Sequence, residues 1–461
     1  MPTTAVNPAA RPTPLVPVGL KGTVFTPDQP GYDQARSVFY GGIDKRPGVV
    51  VRVADAKDIA KVVTFARENG LELAVRGGGH SVAGHSTTEG GVVIDLRALK
   101  KLDIDEATGT AWVEAGLTAA EITSALAARG LAIGFGDAGS VGVGGITLGG
   151  GVGFLARKYG LTIDSLLAAE IVTADGKIVS TDSGTNPDLF WAIRGGGGNF
   201  GVATRFQFRL RPLPAFVGGL LVLPATAETI AGFVAAAEAA PDEVSTIANV
   251  MPAPPMPFLP AEIHGKLVIF AMLAFAGDAA AAGPALAPFR SLATPLADMV
   301  RPMGLHEMYP PEDPNYRPTA VSQTMFVDGV DRRVAETILT HLRASDASLR
   351  VAQLRVLGGA VARVPSAETA YAHRGSRIMV NVAAFYKGED EKIVRTAQVG
   401  ALAAALRQSD SGAYVNFLSA EGPERVRAAY PGGTWDRLRT IKAKYDPTNL
   451  FRLNQNIPPA A

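Results

Sequence analysis

The sequence predicts an α+β protein in two parts, and three observations carry that reading. Glycine is abundant, 51 of 461 residues, and its runs fall in the first half of the chain, at 77–79, within 139–153 and at 195–198. Between those runs, short apolar segments alternate between strand-like and helix-like patterning. Beyond Arg211-Pro212-Leu213-Pro214 the runs stop, and alanine-rich helical stretches with longer strands continue to about Gln408.

The elements follow in order. Residues 49–53 read as a strand. Residues 55–69 read as a helix capped by Asp55 and stopped by Gly70. Residues 73–76 form a strand that runs straight into the first glycine run. Strands at 92–96 and 111–114 precede a helix over 118–129 that ends at Gly130. Residues 167–173 and 177–180 suit a hairpin about Asp175-Gly176. In the second part, helices are expected at 227–239 and 334–344 and strands at 266–275 and 378–385, with a proline-rich loop at 252–260. A last helix over 435–445 is halted by Asp446-Pro447, and an extended, asparagine-rich end follows. No internal repeat is visible.

Composition removes several function classes. The chain is 47% apolar and 19% charged, so it can bury large cores. A formal net charge of +1 makes no electrostatic case for nucleic acid or an anionic membrane as partner. There is no cysteine, which excludes disulfides, thiolate nucleophiles, cysteine zinc sites and iron–sulfur clusters. The six histidines show no HExxH spacing, and no metal site is expected. No run of about 18 apolar residues is present to span a bilayer. Residues 1–20 do not read as a secretory signal, so a loose tail over 1–21 and a cytoplasmic location are expected.

Chemistry concentrates in Val75-Arg76-Gly77-Gly78-Gly79-His80-Ser81. Successive glycines after a strand let backbone N–H groups converge on an anion such as a pyrophosphate, and Arg76 can add charge. A plain glycine turn is the alternative. A literal GxGxxG also occurs at Gly196, Gly198 and Gly201. A nicotinamide-type site needs that motif after a strand, opening a helix, with an acid about twenty residues on. Here a helix-like segment precedes it, a strand-like one follows, and position 221 is Leu221, so the match is read as chance.

The segment Arg76-Gly-Gly-Gly-His80-Ser-Val-Ala-Gly84-His85 resembles the flavin-attachment loop of the berberine-bridge-enzyme-like FAD-linked oxidases. These belong to the vanillyl-alcohol-oxidase superfamily with its PCMH-type FAD domain. Four further blocks agree in order: Gly142 to Gly153, Leu161 to Gly176, Asn186 to Gly201, and Tyr445 to Ile457. The resemblance implies an FAD domain over 22–212 completed by 412–461. It also implies a substrate domain over 213–411, an antiparallel sheet covered by helices. His80 matches the histidine linked to the 8α-methyl of the flavin, and a neutral imidazole is a suitable nucleophile. His85 and His373 match no attachment position. Many relatives carry a second link through a cysteine where this chain has Ala138, so one covalent bond is the ceiling.

The cofactor-facing set implied is Arg76, Gly77, Gly78, Gly79, His80, Ser81, Gly84, His85, Gly139, Ser140, Gly142, Gly144, Gly145, Gly149, Gly150, Gly153, Val202, Asn454 and Asn456. Thr173, Asp175 and Gly176 are placed near the nucleotide end, or simply in a hairpin turn. On the substrate side Met379, Asn381, Ala383 and Phe385 share one strand face. The resemblance puts Asn381 where relatives carry a base or another polar group. Tyr414, facing the same way as Asn416, matches a tyrosine over the flavin, with a packed strand tyrosine as the alternative. Its ordinary pKa near 10 means it needs help to act as a base. Val82 stands where many relatives have another tyrosine. The implied reaction is hydride removal from a small alcohol or amine to FAD, with O₂ reoxidation to H₂O₂. A flavin-dependent oxygenase and a dehydrogenase with another acceptor are the alternatives. Val143 and Ile146 both compete for the position that controls oxygen access. The protein is expected as a monomer or homodimer.

Overall fold

In the computed structural model, which describes residues 16–313 and 315–461, the apolar strands nearest the N-terminus pair in parallel. Both of their faces are covered, as parallel sheets require. Val49–Arg52, Val92–Asp95 and Leu73–Arg76 lie side by side in that order, with a short antiparallel Thr23–Phe25 outside them. Val50, Val51, Val93 and Ile94 are fully buried. The crossover helix is Ala56–Glu68. Asp55 caps it by accepting from the N–H groups of Lys57 and Asp58, and Ile59, Val62, Val63 and Ala66 are its buried stripe. Residues 1–15 of the expected tail lie outside the described residues. By Lys21 and Gly22 the backbone already donates to Asp58.

A second sheet is antiparallel and runs Leu102–Asp105, Thr110–Glu114, Val202–Arg209, Leu166–Val172, Ile178–Asp182. The hairpin about Asp175-Gly176 is its edge. Strand Leu102–Asp105 was not predicted, because its two acids leave only two apolar residues to signal it. The expected helix at 118–129 is Ala119–Ala127, begun by a Thr118–Glu121 capping box. A short helix, Val143–Leu148, stands inside the second glycine run. Gly144 and Gly145 lower helix propensity enough to hide it from the sequence.

From Val217 the chain builds an eight-stranded antiparallel sheet whose central order is Leu267–Phe275, Val244–Pro252, Arg350–Val356, Ile378–Phe385, Ala320–Val327. Strand alternation sorts its faces. Ile378, Val380, Val382 and Ala384 share one core with helices Ala227–Ala239, Arg332–Ala344 and Gly388–Leu406. Met379 and Phe326 turn the other way and pack with Val152, Tyr371 and Tyr414. The α+β reading holds. No helix among the described residues is long and apolar enough to cross a membrane.

The last helix, Gly433–Tyr445, carries a fully buried cation. Lys442 Nζ donates to Asp446 at 2.7 Å, to the Asn199 carbonyl at 2.7 Å and to the Phe451 carbonyl at 2.9 Å. Asp446 in turn accepts from the N–H groups of Leu450 and Phe451. Burial alone lowers the Lys442 pKa, and the Asp446 charge opposes that shift. Removing one partner of such a buried pair strands the other. Lys442→Met is therefore expected to cost about 3–5 kcal/mol of unfolding free energy in a denaturant titration. Lys444→Met, which breaks a half-exposed pair with Asp188, should cost less than about 1 kcal/mol. Equal losses from the two would contradict the hub.

Candidate functional site

The strand Leu73–Arg76 delivers the loop 77–81 to one wall of a cavity of about 470 Å³. The loop 136–146, the turn 197–203, the free face of the large sheet and the C-terminal stretches 414–418 and 451–455 supply the other walls. No single stretch of sequence contains this site; widely separated ones converge on it.

Of the residues expected to face a cofactor, Gly77, Gly78, Gly79, His80, Ser81, His85, Gly142, Gly144, Gly145, Val202 and Asn454 line the cavity. The others stand behind the wall. Gly84, at φ +75°, packs on Ile43, and Gly139 is wedged between Ala120 and Tyr309. A Cβ on Gly149 would collide with the Asn416 amide and on Gly153 with the Phe135 carbonyl, and one on Gly150, at φ +128°, would crowd the Tyr371 ring at 3.1 Å. Asn456 lies outside the lining, as does Ser140, although Ser140 touches His80. Arg76 needs correction. Its guanidinium is 1% exposed, pairs with Asp95 at 3.0 Å and donates to the Ser37 carbonyl, so its charge is unavailable to an anion in the cavity. Strand alternation puts it on the side away from Gly77. Thr173, Asp175 and Gly176 also lie off the cavity. They make the hairpin turn, closed by Thr173 Oγ1 donating to Asp175.

His80 is held on two sides. Its ring stacks on Phe39 with centroids 4.0 Å apart, and its Nε2 lies 2.8 Å from Ser140 Oγ. Burial pushes its pKa down to about 4, against the opposing pull of Glu312 and Asp137. The imidazole is therefore neutral near pH 7. His85 is depressed to about 4 in the same way. His373 is buried, hydrogen-bonded to the Ala429 carbonyl, and away from the cavity.

On the sheet side, Asn381 reaches the cavity with its Oδ1 buried and without a partner. Its cross-strand neighbour Gln353 bridges Asn249 and Arg355. Arg355 is 3% exposed and ties the sheet to the first half through Asp137 Oδ2 at 2.6 Å and the Val152 carbonyl at 3.2 Å. Tyr414 is not on a strand. It precedes a single helical turn, Val415–Phe417, and that turn brings its hydroxyl to Asn416. The phenol oxygen accepts from Gly151 N–H at 2.9 Å and from Asn416 Nδ2 at 3.1 Å. Burial raises the Tyr414 pKa, and those two donors only moderate the shift.

Sequence reasoning missed Phe39, Arg355, Asp137 and the turn 197–199. Two of the glycines set aside as a chance nucleotide motif, Gly198 and Gly201, do form cavity wall, because the chain turns there from helix Pro187–Ile193 into strand Val202–Arg209. Asn199 donates to the Gln455 carbonyl and accepts from Ile457 N–H, stitching the C-terminal return to that turn. Ile146 lines the cavity, whereas Val143 is fully buried in the core behind it.

Residues 47–182 match the FAD binding domain family, and residues 413–458 match the berberine and berberine like family. Across 454 residues, 96% of this chain and 99% of the relative, the sequence is 32% identical to an uncharacterized FAD-linked oxidoreductase of Bacillus subtilis (strain 168). The chain is a berberine-bridge-like FAD-linked oxidoreductase. This oxidoreductase is also 30% identical to (R)-6-hydroxynicotine oxidase of Paenarthrobacter nicotinovorans, over 96% of its own length and 98% of the relative's. It superposes on the crystal structure of 6-hydroxy-D-nicotine oxidase from Arthrobacter nicotinovorans with a TM-score of 0.85 and 28% identity, covering 96% of this chain and 99% of that one. A berberine-bridge-like protein of Physcomitrella patens shares the fold with a TM-score of 0.85 at 24% identity.

The cavity suits FAD. Gly145 and Gly198 both line it, and a Cβ on either would meet nothing within 4 Å, so both keep a face clear for a large flat group. Asn454 adds a buried, unpartnered Oδ1 in the wall. The loop 77–81, the segment 142–146, the turn 197–199, Val202 and Asn454 are the residues that would hold the cofactor. Among the described residues no cluster of histidines and carboxylates could hold a metal ion.

Two glycines separate support from contact. A Cβ on Gly142 would lie 2.3 Å from Gly78 N, an overlap that forces the loops apart and costs about 1–3 kcal/mol. Gly142→Ala should lower both melting temperature and flavin content. Gly145→Ala should leave the flavin-free protein as stable as wild type while cutting the flavin bound per chain. Loss of stability in both variants would mean that Gly145 serves packing instead.

Proposed function

We propose that this FAD-linked oxidoreductase oxidises a small amine or alcohol, holds its FAD covalently at His80, and is reoxidised by O₂ with release of H₂O₂. The observation that carries this reading is His80 itself, a half-buried, neutral imidazole set in the glycine loop of the cavity. Bound FAD would supply an acceptor for one hydride, which carries two electrons, and dioxygen can reoxidise it.

The chain's own residues would position the substrate. Two N–H donors occupy the Tyr414 oxygen, so the phenol directs its own hydrogen to a third partner. With its pKa raised by burial, Tyr414 stays protonated at neutral pH and acts as a donor that orients the substrate rather than as a base. Asn381 offers an acceptor, its unpartnered Oδ1. Among the described residues lining the cavity, Asp137 is the only carboxylate, and Arg355 holds it. A site without a free base favours substrates whose lone pair assists hydride loss, which places amines ahead of alcohols. The similarity to 6-hydroxynicotine oxidase supports the same side. Ile146, rather than Val143, is the side chain that would govern oxygen access.

Anaerobic mixing with a panel of amines, alcohols and sugars should bleach the yellow band with an amine. Readmitted air should restore the band within seconds, with about one H₂O₂ per turnover. Recovery over minutes alongside fast dye-linked turnover would make the protein a dehydrogenase, and oxygen incorporated into product would make it an oxygenase. Tyr414→Phe removes one donated hydrogen bond, worth about 1–3 kcal/mol to a buried partner. Bleaching should therefore slow roughly ten-fold to hundred-fold, with reoxidation little changed. An unchanged bleaching rate would reduce Tyr414 to packing.

A further inference from the structure

We propose that Ser140 and Glu312 form a proton relay that fixes the tautomer of His80 and takes up the proton its ring sheds as the flavin bond forms. The inference rests on the covalent reading above. It begins with donor and acceptor capacity. The Glu312 carboxylate accepts both the backbone N–H of Ser140, at 3.1 Å, and its hydroxyl, at 2.5 Å. A serine hydroxyl has one hydrogen to give. With that hydrogen on Glu312, Ser140 Oγ meets His80 Nε2, 2.8 Å away, as an acceptor. Nε2 then carries the ring hydrogen, and the lone pair of the neutral imidazole lies on Nδ1. The stacked Phe39 ring holds the imidazole plane while this is set.

The arrangement is built from two distant parts of the chain. Glu312 lies 172 residues beyond Ser140. Its segment is seated on the loop 136–140 by Tyr309, whose hydroxyl donates to the Gly136 carbonyl at 2.7 Å. Gly139 leaves room for this approach. A Cβ there would stand 3.1 Å from Tyr309 Cβ and 3.7 Å from Glu312 Oε1. The relay is therefore complete only after the segment 309–312 has docked.

The chemistry balances as follows. Nδ1 bonds to the 8α-carbon, the 8-methyl group gives up one proton, and the flavin ring takes up the electron pair and is left reduced by two electrons. The new bond leaves the imidazole with a positive charge. Its Nε2 proton passes to Ser140 Oγ while Ser140 hands its own to Glu312, and the exposed carboxylate releases it to water. Dioxygen restores the oxidised ring. In total the imidazole and the methyl group lose one hydrogen each, and both leave as H₂O₂.

The test uses the full chain and FAD itself. Wild type, Ser140→Ala, Glu312→Gln and Glu312→Asp are incubated with FAD. Total flavin is read by absorbance, and linked flavin by in-gel fluorescence after denaturation. Ser140→Ala and Glu312→Gln should still bind FAD but link it roughly a hundred-fold more slowly, the contribution of one positioned proton acceptor. Glu312→Asp should recover part of the rate. In the wild-type flavin peptide, NMR should place the bond at Nδ1, a readout that needs no variant. A bond at Nε2, or linkage at the wild-type rate in Glu312→Gln, overturns the relay while leaving the covalent reading intact. Wild-type protein that releases all of its flavin overturns the covalent reading and the relay together.

Discussion

Everything at the site depends on one close approach, in which the loops 77–81 and 139–145 meet backbone to backbone. A Cβ on Gly78 would lie 2.4 Å from Gly142 N, and one on Gly142 2.3 Å from Gly78 N. Neither glycine is there for an unusual φ; the requirement is space. With no side chains between them, the loops bring Ser140 Oγ to His80 Nε2 and open a shared concave face toward the cavity. Main-chain N–H groups exposed in such a concavity suit an anionic cofactor.

Around that contact the protein arranges three clamps. Lys442 ties the last helix to the turn at Asn199 and to Phe451, so the C-terminal return is held as cavity wall. Arg355 ties the large sheet to Asp137 and Val152. Arg374 pairs with Asp164 through both guanidinium nitrogens at 2.7 and 2.8 Å, joining the same two parts near Tyr371. A buried ion pair contributes little net stability against an apolar replacement but is costly to break, and it admits one geometry. Three such pairs hold a site whose walls come from widely separated stretches of chain.

The electrostatics of the cavity are quiet. Burial removes charge from His80 and His85, and keeps Tyr414 protonated at neutral pH. The one lining carboxylate among the described residues is neutralised by its arginine. What remains is a set of oriented dipoles, the Asn381 and Asn454 carbonyl oxygens and the Tyr414 hydroxyl. Such dipoles, fixed in place, orient a bound molecule without a large reorganisation of charge.

The sequence by itself determined the two-part α+β plan, the cofactor family, the glycine loop with His80, and the helix Ala56–Glu68 with its Asp55 cap. These are local signals: a period, a cap, a run of residues without side chains, each legible where it stands. Tertiary structure alone decided which way polar groups point and what they meet. Arg76 looked like a phosphate ligand and is instead the partner of Asp95, because strand alternation turns it inward. The glycines near Asn199 failed the nucleotide pattern and still form cavity wall, because the test applied to them was local order rather than position. Arg355, Asp137 and Glu312 carried no motif at all. Their roles come from contacts spanning 172 and 218 residues, and a separation of that length leaves no trace in local patterning.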